Sequence, residues 1–160
     1  MQLFSVIKNQ HLTTAKYLLV TQYNACYEQL NNFFTEAEWL LYDKPVREYD
    51  YYYDQIVCVG ELLSTCIISY YLNEAGIANK WLDVRDIIRT DNNFRDAIID
   101  WKTTEEKLTD IRKQMTEETV NYQLSTINCF LTQGFIGSTD ENESTTLGRE
   151  GSDYTAAVFA

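Results

Sequence analysis

Ile127-Asn-Cys-Phe-Leu-Thr-Gln-Gly-Phe-Ile136 is rich in branched and aromatic side chains and is the strongest strand candidate in the chain. A polar turn, Gly137-Ser-Thr-Asp-Glu-Asn-Glu143, follows it, then a short extended piece, Ser144-Thr-Thr-Leu147. Gly148-Arg-Glu-Gly-Ser-Asp153 next leads into a helix start. On the other side, Thr103-Thr-Glu-Glu106 has the capping-box pattern and predicts a polar helix running to about Met115. Before that, Asn79-Lys-Trp-Leu-Asp-Val84 is apolar in its second half and suits a buried strand. Strands separated by helices predict an α/β domain with parallel pairing.

The first half reads differently. From Thr13 to Phe34, apolar residues recur at Ala15, Leu19, Tyr23, Cys26, Leu30 and Phe33, a spacing that predicts one long amphipathic helix. Thr35-Glu-Ala-Glu38 predicts a new helix start, ended before Pro45. Tyr49 to Cys58 continues helical, and its adjacent tyrosines, Tyr51-Tyr52-Tyr53, read as packing. Gly60 is expected to interrupt, and Glu61 to Ala75 to form a mostly buried helix closed by Gly76. This helix-heavy half looks like an excursion from the sheet.

The chain has 160 residues, the usual size of one domain, and 45% hydrophobic residues, enough to build a core. A formal net charge of -11 leaves no basic footprint for nucleic acid or an anionic membrane. The longest apolar runs read as too short for a bilayer span, and a cytoplasmic protein is the simplest expectation. Cys26, Cys58, Cys66 and Cys129 follow no metal-ligand pattern and read as reduced core residues. His11 is the single histidine, so no metal site is expected. Met1 leads almost directly into helical periodicity, and Tyr154 to Ala160 is an apolar helical start that stops, so the chain reads as truncated at both ends.

Chemistry is most legible in Thr145-Thr-Leu-Gly-Arg-Glu-Gly-Ser-Asp-Tyr-Thr-Ala-Ala157. Gly148 and Gly151 permit close backbone approaches. Ser152 suits a helix N-cap, and the N–H groups of a first turn attract anions. Arg149 adds a planar fork that fits a carboxylate. The spacing alone equally allows a plain helix cap beside a solvated arginine. Arg85 and Arg89 read as salt-bridge partners of Asp83, Asp86 or Asp91, and Asp140 to Glu143 as a solvated hairpin tip.

Thr132-Gln-Gly-Phe-Ile-Gly137, followed by Thr145 to Ala157, closely resembles the substrate-binding region of aspartate kinases. Val59-Gly-Glu-Leu-Leu-Ser64 is similar to that family's Gly-Glu segment, and Trp81-Leu-Asp-Val-Arg85 with Ile88-Arg-Thr-Asp91 to the strand and loop that follow it. The three segments occur in the family's order. The resemblance implies an α/β fold, an amino acid kinase-like sandwich with a mainly parallel sheet. Residues 1–58 would form a helical region and 59–160 the substrate-site part. It also implies transfer of the γ-phosphoryl group of ATP, with Mg²⁺, to the side-chain carboxylate of L-aspartate. By position, Glu61 would contact the substrate's α-ammonium and Arg149 its α-carboxylate. Ser152 would lie beside the reacting carboxylate, and Asp153 would take a catalytic place, orienting phosphate-holding lysines.

Two departures from the family pattern carry expectations. Glu150 stands where the commoner pattern has glycine, so it should point outward or sit on a variant backbone. The family's Lys-Phe-Gly-Gly-Thr-Ser strand, its downstream nucleotide-binding segment and its regulatory domains are not found in these residues. The polypeptide alone is therefore expected to bind ATP poorly and not to turn over, and its parent to be a homo-oligomer. Alternatives at this point are another amino acid kinase, such as one acting on glutamate, or a non-catalytic acidic interaction module.

Overall fold

The apolar stripe of the first half is buried as expected at Ala15, Leu19, Cys26, Leu30 and Phe33, but two helices carry it. In the computed structural model, which describes residues 2–121 and 129–160, α1 spans Gln2–Leu18 and α2 spans Tyr23–Tyr42. The break is made from far away. The Glu74 carboxylate accepts hydrogen bonds from the backbone N–H groups of Val20 (2.7 Å), Thr21 (3.2 Å) and Gln22 (3.2 Å). A helix start leaves such donors without intrahelical partners, and here one carboxylate meets three of them. No second helix begins at Thr35. Its hydroxyl bonds back to the Asn31 carbonyl inside α2, which ends at Tyr42, ahead of Pro45.

Gly60 does not interrupt either: α3 runs unbroken over Tyr49–Glu74 and ends, as expected, at Gly76 with its left-handed backbone. A glycine inside a helix costs only about 1 kcal/mol against alanine. Burial of Cys58, Leu62, Leu63 and Cys66 on one side of the same helix outweighs that. At 26 residues α3 is long and apolar enough to cross a membrane, contrary to the sequence expectation. It is instead the central core helix, packed on α2 and α1. Tyr51 packs edge-on against Phe94 (5.2 Å between centroids), in keeping with the packing reading.

Beyond α3 come β1 (Asn79–Trp81), a 3-10 turn at Val84–Asp86, and α4 (Trp101–Asn121). Asp100 rather than Thr103 caps α4, accepting from the N–H groups of Lys102 and Thr103 and from the Thr103 hydroxyl (2.5 Å). The expected strand at 127–136 is divided: β2 is Cys129–Leu131 and β3 is Ile136–Ser138, while 127–128 lie outside the described residues. β1 and β2 pair in parallel, Lys80 opposite Phe130. β3 pairs antiparallel with β4 (Ser144–Thr146), and Arg89 bridges β3 in parallel at Ser138. The chain then turns into α5, Gly151–Phe159. Helices against two two-stranded sheets, β1–β2 parallel and β3–β4 antiparallel, make an α/β architecture.

Three cysteines are core residues, and burial pushes the Cys58 thiol up; Cys129 is exposed on β2, against expectation. Arg85 pairs with Asp83 (2.7 Å) as the sequence suggested. Among the described residues no aspartate pairs with Arg89. Its buried guanidinium donates to the Ser138 hydroxyl (2.8 Å), the Thr139 carbonyl (2.7 Å) and the Asn142 side-chain oxygen (2.8 Å). The hairpin tip is solvated at 140–142, but Glu143 reaches back to Arg47 in a two-point ion pair.

Candidate functional site

The residues singled out for anion chemistry lie where β4 passes into α5. Leu147 donates its N–H to the Phe135 carbonyl (2.9 Å), which keeps the strand end against the segment before β3. Thr155, one turn into α5, accepts from the Phe135 N–H (3.1 Å) and returns its own hydroxyl proton to the Gly151 carbonyl. At Gly151 an added Cβ would stand 2.8 Å from the Phe135 ring, and at Gly134 it would stand 3.1 Å from Cβ and Oγ of Ser152. The two segments thus cross closely: a side chain at 151 would force the Phe135 ring to move, and one at 134 would crowd Ser152.

Helix α5 does not use Ser152 as its N-cap. The cap is Glu150, in the left-handed region at φ 62°, and its carbonyl accepts from the N–H groups of Asp153 (2.9 Å) and Tyr154 (3.2 Å). The Glu150 side chain points into solvent, as its charge requires. Ser152 and Asp153 stand exposed in the first turn, where a carboxylate is favoured by the helix dipole. Arg149 extends outward from the loop, its side chain 94% exposed and 4.0 Å from Glu150. It borders a cavity of about 330 Å³ whose walls include Asn93, Asp96, Trp101 and Tyr154.

Glu61 is reached through a hydrogen-bond relay. It is half-buried on α3, one turn before Thr65, whose hydroxyl donates to the Glu61 carbonyl (2.8 Å). That hydroxyl also accepts from the Gln133 amide (2.8 Å) and the Trp81 indole (3.0 Å). Gln133 in turn accepts from the Val84 N–H (2.8 Å). The Gln133–Gly134 step thus touches the Glu61 turn on one side and Ser152 on the other.

With this geometry in view, the comparison with known proteins is decisive for the family. The model of the amino acid kinase family matches residues 7–160. The chain belongs to the amino acid kinase family. The lysine-sensitive aspartokinase 3 of Escherichia coli is 38% identical over 108 residues, 67% of this chain and 22% of that protein. An aspartokinase of Chlamydia trachomatis is 28% identical over 153 residues, 96% of this chain and 31% of the relative. Escherichia coli aspartokinase III solved with lysine and aspartate superposes with a TM-score of 0.81 at 29% identity. That match covers 98% of this chain and 33% of the solved one. The chain thus spans a third or less of these relatives.

In this family member, the fold brings Arg149, Ser152 and Asp153 onto one loop and helix start. Among the described residues no ion pair links Glu61 to Arg149, and the walls of the cavity beside Arg149 do not include Glu61. Sequence reasoning missed Asp54. Its carboxylate, fully buried on α3, accepts from the N–H groups of Arg95 and Thr146 and from the Thr146 hydroxyl, each at 2.8 Å. Burial holds its pKa above the usual carboxylate range, and those donors pull the other way. A signal existed: Asp54, Cys58 and Leu62 share one helix face, so a charge stands on an otherwise apolar stripe.

Proposed function

We propose that this chain is the amino-acid-binding part of an aspartate kinase, which moves the γ-phosphoryl group of ATP to the side-chain carboxylate of L-aspartate. In the reaction a carboxylate oxygen attacks the γ-phosphorus, the bond to the bridging oxygen breaks, and ADP leaves. In this reading residues 59–160 form the substrate-site part, 1–58 a helical buttress, and the parent is a cytoplasmic homo-oligomer of the lysine, threonine and methionine route. The reading is carried by one observation: the loop bearing Arg149 is tied to Gly134 and Phe135, and through Gln133 to the turn bearing Glu61. It gains support from Escherichia coli aspartokinase III in complex with aspartate and ADP, which superposes with a TM-score of 0.80 over 98% of this chain.

Arg149 is assigned to the α-carboxylate, Glu61 to the α-ammonium and Ser152 to the reacting carboxylate, with Asp153 orienting the lysines that hold phosphate. Holding a zwitterion at both ends fixes the remaining carboxylate for in-line attack, and phosphoryl transfer depends chiefly on such positioning and charge neutralisation. Among the described residues no three metal-ligating side chains gather, and Mg²⁺ in such reactions is held largely by the nucleotide's phosphates with one or two carboxylates. The nucleotide and its metal are assigned to other parts of the full-length enzyme, and the isolated polypeptide should not turn over.

An ATP-dependent hydroxamate assay on the full-length enzyme tests the assignment. Arg149→Ala and Glu61→Ala should each raise KM for L-aspartate by about 10- to 100-fold, the worth of a charged hydrogen-bonded contact. The KM for ATP should stay within about twofold, because neither contact reaches the nucleotide. Wild-type kinetics in either variant would remove that residue from the site.

A further inference from the structure

We propose that Asp54 is a positioning residue for the amino-acid-binding loop, the buried anchor from which α3 sets the stance of Arg149. The inference rests on the reading of Arg149 as a substrate ligand. Its basis is a short path of contacts. One Asp54 oxygen holds the N–H groups of Arg95 and Thr146 together, and the other takes the Thr146 hydroxyl. Arg95 sits at φ 72°, a backbone state that residues with side chains rarely adopt, and the Asp54 contact secures it there. Thr146 passes the restraint on, accepting from the Ala97 N–H at 3.0 Å.

The 95–97 segment then meets the loop. At Gly148 (φ 69°) an added Cβ would stand 2.5 Å from an Asp96 carboxylate oxygen and 3.2 Å from the Arg95 carbonyl. Gly148 is thus seated directly on the segment that Asp54 holds, one residue before Arg149. Two residues in the other direction lies Thr146, held by Asp54 itself. An apolar side chain could fill the same core position, but it would leave the N–H groups of Arg95 and Thr146 and the Thr146 hydroxyl without this acceptor. What the carboxylate adds is directional: it fixes two backbone segments relative to the helix that bears Glu61, seven residues further on.

The experiment compares KM for L-aspartate, KM for ATP and Tm in the full-length enzyme for Asp54→Asn, Thr146→Val and Leu30→Ala. Leu30 is buried in the helical core and serves as a destabilised control. Asp54→Asn should raise KM for L-aspartate by about tenfold, the loss of one well-placed charged hydrogen bond, with KM for ATP unchanged. Thr146→Val, which removes only the hydroxyl bond, should shift it the same way by less. Leu30→Ala should lower Tm without moving either KM. An unchanged aspartate KM in Asp54→Asn, equal shifts in both KM values, or the same rise in Leu30→Ala would each overturn the proposal. Should Asp54→Asn fail to fold, Thr146→Val decides by the same criteria. If the wild-type enzyme does not phosphorylate aspartate at all, the assigned function fails and this inference with it. If it does, and the aspartate KM of Asp54→Asn is unmoved, the anchor alone fails.

Discussion

The helical half, α1 to α3, and the site half, β3 to α5, are held together by different means. The first buries hydrocarbon: Ala15, Leu30, Phe34 and Leu62 are 0–1% exposed and lie in one core cluster. The second buries polar groups, among them Ser138, Ser144, Thr145 and Thr146, each of which finds a partner. Strain divides the same way. Among the described residues, the positions other than glycine with positive φ, Arg95, Phe135, Asn142 and Glu150, all fall after α3. Apolar packing tolerates small shifts of angle; hydrogen bonds and left-handed turns fix direction. The proposed site, in which Arg149 and Ser152 would be presented at set angles, lies in the second kind of material.

The contrast is most exposed to failure in the core. Phe34→Ala should destabilise the chain by about 3–5 kcal/mol, read as a fall in denaturation midpoint, because the surrounding helices cannot close over the lost ring. A loss below about 1 kcal/mol would mean that hydrocarbon burial is not what secures this half.

A smaller effect of opposite sign belongs to the site half. Glu150→Gly relieves a left-handed residue and should stabilise by about 0.5–1 kcal/mol, measured by thermal denaturation. A destabilised variant would show that the turn at 150 carries no strain.

The smallest effect sharpens the boundary of the comparison, at a polar joint in the helical half. Burial pushes the Glu74 carboxyl up, but the N–H groups of Val20, Gln22 and Thr21 more than offset it, and its pKa rests below the ordinary glutamate value. Its contribution is therefore complete above the ordinary glutamate range and is lost as pH falls through the folded value. Amide exchange at Val20 to Gln22 should quicken on acidification in the wild type beyond the intrinsic trend, and Glu74→Gln should show no such step.

What was legible in the sequence follows from the range of each signal. The stripe from Ala15 to Phe33, the Gly76 stop, the extended piece at 144–147 and the helix after Gly148 are written in neighbouring residues, and they stand. The break at 19–22 is not, because the group that makes it is more than fifty residues away. Gly60 misled because its local cost is small beside the burial on either side of it. Thr35 and Glu38 matched a start pattern, yet a preceding helix already supplied the hydrogen bonds that such a pattern exists to satisfy. At the site, the residue types in the Arg149 loop were readable. The cap moved from Ser152 to Glu150 because Gly134 lies against Ser152, a contact between segments.

The facing hydroxyls of Thr90 and Thr145, 2.8 Å apart in the interior, bear on how this chain drifts over generations. Valine at 90 would take this partner from the Thr145 hydroxyl, whereas Thr90 also donates to the Asp91 carbonyl (2.9 Å) and survives valine at 145; leucine and methionine can trade places in the helices one at a time. Change beneath the β3–β4 hairpin should therefore come in a set order, Thr145 before Thr90, and lineages of this domain should diverge faster in their first third than around that hidden couple.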